Sequence, residues 1–338
     1  MHRLRLIFAL SAVLGAALLS RAQLSAPASS PRDTKAAFDA PHLRVELLVI
    51  GDSLYSGDEL NEAGLHFKLE PGWHIYWGNA GDSGEPPHIQ WTLPKGISAA
   101  PMQFPAPKRL PLGPLMDFGY ENEVLFPFTF HVADSVKAGP AVLHAKVDWL
   151  VCREVCIPGK AELEVQRNVY RGLYDIGIIQ PPLFERFLSQ LPKPLPSADT
   201  ALFQPAATGF RLAVSTGQRE TQAEFFPEDE NILDNPAPQA VTPTATGLIL
   251  DLKKDANLTS NPKQLRGVLE LSGGRNYEIA ALPGTVAASP AAPAFSLAAL
   301  VRIACLAFLG GVLLNLMPCV FPVLFLKGLA LVNSGAEE

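Results

Sequence analysis

The sequence predicts a mainly β protein, with two β-sandwich domains in tandem followed by a C-terminal transmembrane helix. Short runs of alternating apolar and polar residues, cut by turns bearing Gly and Pro, recur from about residue 43 to residue 282. A proline-rich break near residues 181–196 divides these runs into two sets. Residues 295–332 are almost wholly apolar, with Arg302 near the start and Lys327 near the end, a length that suits one tilted or broken membrane helix. The chain has 338 residues, and 48% of them are hydrophobic, a high share for a soluble protein. A net charge of −6 and the lack of a basic run argue against nucleic acid as a partner.

Residues 1–22 have a basic start (His2, Arg3, Arg5), an apolar stretch and small residues Ser20 and Ala22 where a signal peptidase reads. They read as a cleaved signal peptide, followed by a Ser/Pro/Ala linker over 23–37. The first β domain is expected over 38–168, with its clearest strands at 43–50, 65–69, 73–77, 89–93, 124–132 and 142–149. Turns such as Pro71-Gly72, Gly81-Asp82-Ser83-Gly84 and Pro94-Lys95-Gly96 separate them. A connector over 169–200 carries one short helix near 183–191, begun by Pro181-Pro182 and stopped by Pro192. The second β domain, 201–283, shows strands at 210–215, 222–226, 247–252, 267–271 and 277–282, with Ser272-Gly273-Gly274-Arg275 as a hairpin loop. It contains no cysteine. A linker over 284–295 leads to the membrane segment, 296–333.

Two of the chain's four cysteines, Cys152 and Cys156, lie at the end of the 142–149 strand, before the turn Pro158-Gly159. In an extended strand they would be too far apart to bond, since each residue advances about 3.3 Å and a disulfide needs Cα atoms about 4.4–6.8 Å apart. Bonding therefore requires the chain to turn between them. The ring is so small that its entropic stabilisation is only about 2 kcal/mol, which suits a bond that is made and broken. Other readings of the pair are a structural disulfide, a zinc site lacking its remaining ligands, and two buried free thiols.

The remaining candidates are weaker. Trp73, Ile75 and Trp77 share one strand face and read as core, while His66, His74 and His88 match no metal spacing and read as surface or satisfied strand residues. Asp229, Glu230 and Asp234 read as a solvated acidic loop rather than a cation site. Residues 117–121 place Phe118 and Tyr120 in a Gly-containing loop that either shields a reactive disulfide or forms an ordinary aromatic turn. In the apolar C-terminal run, Pro318-Cys319-Val320-Phe321-Pro322 interrupts the helix, and unpaired backbone at membrane depth marks a functional place. Cys305 reads as a packing residue.

Residues 73–84 (WHIYWGNAGDSG), Ile89-Gln90-Trp91, Phe118-Gly119-Tyr120-Glu121 and 149–158 (WLVCREVCIP) together resemble the amino-terminal periplasmic region of the DsbD and ScsB group of thiol:disulfide interchange proteins. The resemblance implies an immunoglobulin-like fold and a redox pair, Cys152 and Cys156, that passes reducing equivalents to periplasmic thioredoxin-fold proteins of the DsbC/ScsC kind, supporting disulfide correction or cytochrome c maturation. The Cys-x3-Cys spacing agrees better with the ScsB branch than with DsbD itself. Ala223-Glu224-Phe225-Phe226-Pro227 resembles the cysteine-free second domain of that branch, whose implied role is positioning or partner docking. The Pro-Cys-x-x-Pro segment resembles the first helix of the family's membrane electron-transfer domain, and it implies that Cys319 is one half of an intramembrane redox pair and that the rest of that domain is a partner. The implied location is the inner membrane, with both β domains in the periplasm and no cofactor. Cys305 cannot complete the pair, since it lies about 21 Å from Cys319 along a helix. The expectation is therefore that this polypeptide alone does not carry electrons across the membrane. The alternative reading is a membrane-tethered copper-tolerance module, with Cys152 and Cys156 holding Cu(I).

Overall fold

The computed structural model describes residues 35–56, 61–171, 180–196, 200–286, 301–312 and 325–330. The expected signal peptide, Cys319 and most of the linker before the apolar segment lie outside these residues. Residues up to Val286 form one compact unit, and residues from Ala287 onward belong to a second.

The first β region is built from β1 (Ala37–Ala40), β2 (Leu43–Val49), β3 (Ser53–Ser56), β4 (Glu62–Leu69), β5 (His74–Gly81) and β6 (His88–Thr92). It continues with β7 (Ile97–Ala99), β8 (Lys108–Leu112), β9 (Leu115–Glu121), β10 (Glu123–Val132), β11 (Gly139–Cys152) and β12 (Cys156–Arg171). One sheet runs β1-β2-β4-β10-β7 and the other β3-β12-β11-β5-β9-β8, with β6 on β11. The alternation seen in the sequence is the sandwich's inside-outside pattern: β2 reads buried and half-buried in strict turn, and Leu143, Ala145, Val147, Trp149 and Val151 of β11 all face inward. Phe67, Phe126 and Trp149 meet edge to face at the centre, with centroids 5.9 and 6.0 Å apart. Gly159 lies directly across from Trp149 in the hairpin, and a Cβ there would fall 2.3 Å from the indole.

Helix α1 (Pro182–Leu188) starts where prolines cost least, in the first turn, and buries Phe184 and Phe187 in the first core. The second β region then follows: β13 (Lys193–Pro194), β14 (Thr200–Pro205), β15 (Gly209–Ser215), β16 (Ala223–Pro227), β17 (Ala240–Pro243), β18 (Gly247–Lys253), β19 (Leu265–Leu271) and β20 (Arg275–Pro283). Its strands join in one hydrogen-bonded path, β16-β19-β20-β14-β15-β18-β17. Both halves of that path turn side chains into a single core, with Phe203, Phe210 and Leu250 from one half and Phe225, Leu269 and Ile279 from the other. The expected strands are all present, and the expected hairpin loop joins β19 to β20.

Residues 117–121, expected to be a loop, are strand. They belong to β9, paired with β5 on one side and β8 on the other. The glycine that suggested a turn is needed for close approach, because a Cβ on Gly119 would sit 2.2 Å from the Ile75 carbonyl oxygen. In the apolar C-terminal stretch, residues 301–312 and 325–330 are helical. Among the described residues no helix is long and apolar enough to cross a membrane.

Candidate functional site

Cys152 ends β11, Cys156 begins β12, and the two are opposite each other in the hairpin register. Arg153, Glu154 and Val155 form the loop between them, closed by a hydrogen bond from the Arg153 N–H to the Val155 carbonyl. This is the turn that bonding demanded: the Cα atoms are 4.1 Å apart and the sulfurs are joined. The two sulfurs differ in access. Cys152 is fully buried, whereas Cys156 is exposed.

Cys152 also pairs with His74, where β5 meets β11. Because Trp73, Ile75 and Trp77 take the core face, His74 and Tyr76 share the opposite one, which faces the disulfide. The Tyr76 hydroxyl lies 3.6 Å from Cys156 Sγ and 3.3 Å from His74 Nε2. Asp117 of β9, fully buried, places Oδ2 3.7 Å from the same imidazole nitrogen. Its carboxylate accepts hydrogen bonds from the Ser83 N–H (3.1 Å) and from the Ser83 hydroxyl (2.8 Å). Burial, reinforced by the Asp117 charge and opposed by a bond from Ser83, pushes the Tyr76 phenol up to about 12. Tyr76 is therefore a neutral O–H group at physiological pH, able to donate to sulfur.

The turn after β5 covers this group. Gly84, with φ +91°, leaves so little room that a Cβ would lie 2.1 Å from the Tyr76 ring. On the other flank, the Arg153 guanidinium lies 5.5 Å from the centre of the Trp73 ring, which also stacks on His42 at 3.8 Å. Val155, at the tip of the hairpin, is 63% exposed, so an apolar side chain stands beside the accessible sulfur.

Phe118 and Tyr120 do not form a shield. Both are core residues: Phe118 packs edge to face on Phe226, and the buried Tyr120 hydroxyl donates to the Pro105 carbonyl at 2.6 Å. Alternation along β9 turns Asp117, not the aromatics, toward the site. Cys319 lies outside the described residues, and Cys305 is a free, exposed thiol. His66, expected to be satisfied, is buried between Glu46 and Glu123, and His88 is exposed. Asp229 pairs with Arg266 and Asp234 with Lys253, as a solvated acidic loop would. His74, Tyr76, Ser83 and Asp117 were not foreseen as site residues. The alternation that put Trp73, Ile75 and Trp77 in the core already placed His74 and Tyr76 on one common face, and that was the available signal.

The cysteine pair is bonded, with one open sulfur, one closed sulfur and a hydroxyl on the open one, an arrangement that thiol–disulfide exchange can use. Residues 52–168 match the family model described as thiol:disulfide interchange protein DsbD, N-terminal. Among solved structures, the N-terminal periplasmic domain of ScsB from Proteus mirabilis matches at 20% identity and a TM-score of 0.55, over 76% of this chain and all of that one. At that identity it speaks for the fold. The periplasmic chaperone SfaE is also found, at 9% identity over 70% of this chain and all of that one, but a TM-score of 0.18 carries no argument. No curated protein matches. Residues 52–168 are thus similar to the DsbD N-terminal domain, and the ScsB domain shows the same fold.

Proposed function

We propose that this protein is a membrane-anchored thiol:disulfide interchange protein whose Cys152/Cys156 pair hands reducing equivalents to thioredoxin-fold proteins outside the membrane. The observation that carries the reading is the asymmetry of the bonded pair, with Cys156 open to solvent and Cys152 closed. A reducing thiolate can reach only Cys156. Its attack forms a mixed disulfide there, and the electron pair of the broken bond leaves on Cys152, which takes up a proton. The donor's second thiolate then attacks the donor's own sulfur in the mixed disulfide, so that the donor departs oxidised and Cys152 and Cys156 are left as two thiols. In delivery the order is reversed. The Cys156 thiolate attacks a partner's disulfide, the partner's freed sulfur is protonated, and Cys152 attacks Cys156 to restore the bond and release the partner as a dithiol. Tyr76, donating to Cys156 sulfur, favours the thiolate as it leaves and is held in place by His74.

The domains proposed at 38–168 and 201–283 lie outside the membrane in this reading, and the segment at 296–333 anchors them in the inner membrane. The helix at 301–312 exposes Val301, Ile303, Leu306, Phe308 and Leu309, an apolar surface suited to lipid. Cys319 is proposed as one member of an intramembrane pair that refills Cys152/Cys156. In its bonded form the outer pair has no thiolate to hold Cu(I).

Trapping tests the reading. With full-length chain, Cys152→Ser should accumulate a mixed disulfide at Cys156 with an oxidised thioredoxin-fold protein, and Cys156→Ser should accumulate none. Equal trapping by the two variants, or a wild-type pair that no dithiol reduces without unfolding the chain, would overturn it.

A further inference from the structure

The second β region contains no cysteine, yet it is fastened to the residues that line the redox pair. Asn235 holds the first region at two points: its Nδ2 donates to Asp82 Oδ1 at 2.8 Å, and its carbonyl accepts from the Arg109 guanidinium. Asp82 uses its other oxygen, Oδ2, to accept from the Met116 N–H at 2.8 Å, and its own N–H donates to the Met116 carbonyl at 3.1 Å. The turn from Gly81 to Gly84 is thereby pinned to the start of β9. Ser83 in that turn donates to Asp117, and Gly84 lies against the Tyr76 ring. A second fastening lies one step upstream: the buried Asn79 donates to the Pro227 carbonyl at 2.8 Å while its Oδ1 accepts from the Gly81 N–H at 2.9 Å. These bonds form a continuous path of contacts from the second region to Cys156 through Asn235, Asp82, Ser83, Asp117, His74 and Tyr76.

We infer that Asn235 is a positioning residue for thiol–disulfide exchange, and that through it the second β region holds the 81–84 turn closed over Tyr76 and Asp117. The inference rests on the reading of Cys152/Cys156 as an exchange pair. A short polar side chain is suited to this task, because an exposed turn with two positive-φ glycines, Gly81 and Gly84, has little stiffness of its own. Without the Asn235 bond the turn can lift, and water then reaches Tyr76, His74 and Asp117. Tyr76 of β5 touches Cys156 directly, His74 of β5 and Asp117 of β9 lie behind it, and Arg153 and Glu154 flank the sulfur in the hairpin. Water then competes for the Tyr76 hydroxyl that donates to Cys156, so the Cys156 thiol becomes harder to ionise, while the opened turn leaves the disulfide easier to reach.

The test compares full-length wild type, Asn235→Ala and a control, Arg211→Ala, which removes a side chain of the same region that pairs with Asp251 away from the 81–84 turn. Two quantities are read: the rate at which dithiothreitol reduces the Cys152–Cys156 bond, and the pH profile of iodoacetamide labelling at Cys156 in the reduced chain, resolved by peptide mass spectrometry. Asn235→Ala should raise the rate about threefold or more and move the labelling midpoint up by about half a pH unit. Arg211→Ala should change neither. If Asn235→Ala fails to fold, Asn235→Ser, which keeps a shorter donor, is read in the same way. Wild-type values in the Asn235 variant overturn the inference while leaving the exchange reading intact. A faster rate with an unmoved midpoint also overturns it, since that is the mark of general loosening. A wild-type pair that dithiothreitol cannot reduce at all fails the exchange reading itself.

Discussion

The two β regions share alternation, strand length and a core of large apolar side chains, but they differ in what they bury besides carbon. Around its apolar core the second region buries Glu220, Asn235 and Asn276, none of them beside a cysteine. The first buries His66, His74, Asn79 and Asp117, and of these His74 and Asp117 lie beside the hairpin that carries the disulfide. Buried polar groups cost stability unless each finds a partner. Each region meets that demand partly from the other: the buried Asn79 bonds to Pro227, the buried Asn235 bonds to Asp82, and Phe226 and Val268 complete the first region's apolar core. A region that carries no cysteine can thus supply packing and hydrogen bonds to the strands that hold the disulfide.

The strongest way to break this comparison is at Phe226. It is fully buried and packs edge to face on both Trp77 and Phe118, so Phe226→Ala should cost about 3–5 kcal/mol. Thermal melting of the full chain, read by fluorescence of the first region's tryptophans, should show that loss. A tryptophan signal that melts unchanged would mean that the first region stands alone. Gly84→Ala comes next, because the added methyl group meets the Tyr76 ring and the backbone has positive φ. A cost of about 2–3 kcal/mol is expected, together with faster reduction of the disulfide by dithiothreitol. Equal rates would separate the turn from the site.

Tyr76→Phe sharpens the comparison by removing one oxygen from the polar face. Exchange at Cys156 should slow about tenfold, in keeping with the roughly 1 kcal/mol or more of a hydrogen bond to a charged group, while the melting temperature changes little. Stopped-flow exchange with a reduced thioredoxin-fold protein measures it. The smallest expected effect lies at Glu46, far from the disulfide. A hydrogen bond from His66, helped by one from Arg44 and opposed by burial, holds its carboxyl down at about 2 from an ordinary 4.5. A depressed folded-state value stabilises the fold above the unfolded value and loses that contribution as pH falls. Glu46→Gln should therefore cost about 1 kcal/mol at pH 7, a gap that narrows below pH 4.5 and closes near pH 2. Chemical denaturation across that range checks it, and a gap that widens in acid would refute the assignment.

What the sequence determined by itself was local and periodic. Alternation along the strands at 43–49 and 142–149 is a direct consequence of the two-residue period of a strand, so the sandwich and much of its core were legible, as were a Cys-x3-Cys pair that could bond only across a turn. The tertiary structure decided the rest, because it depended on residues brought together over long separations. Residues 117–121 carry glycine and an acid, which locally suggest a loop, yet pairing with β5 and β8 makes them a strand and turns Asp117, rather than Phe118 or Tyr120, toward the site. His74 and Tyr76 could be placed on one face from spacing alone, but only the meeting of β5 with β11 sets that face against sulfur 80 residues away. Nothing near Asn235 in sequence points to Asp82, which lies 153 residues earlier. A hydrogen bond acts over about 3 Å whatever the length of chain between its partners, and periodicity reports only on neighbours.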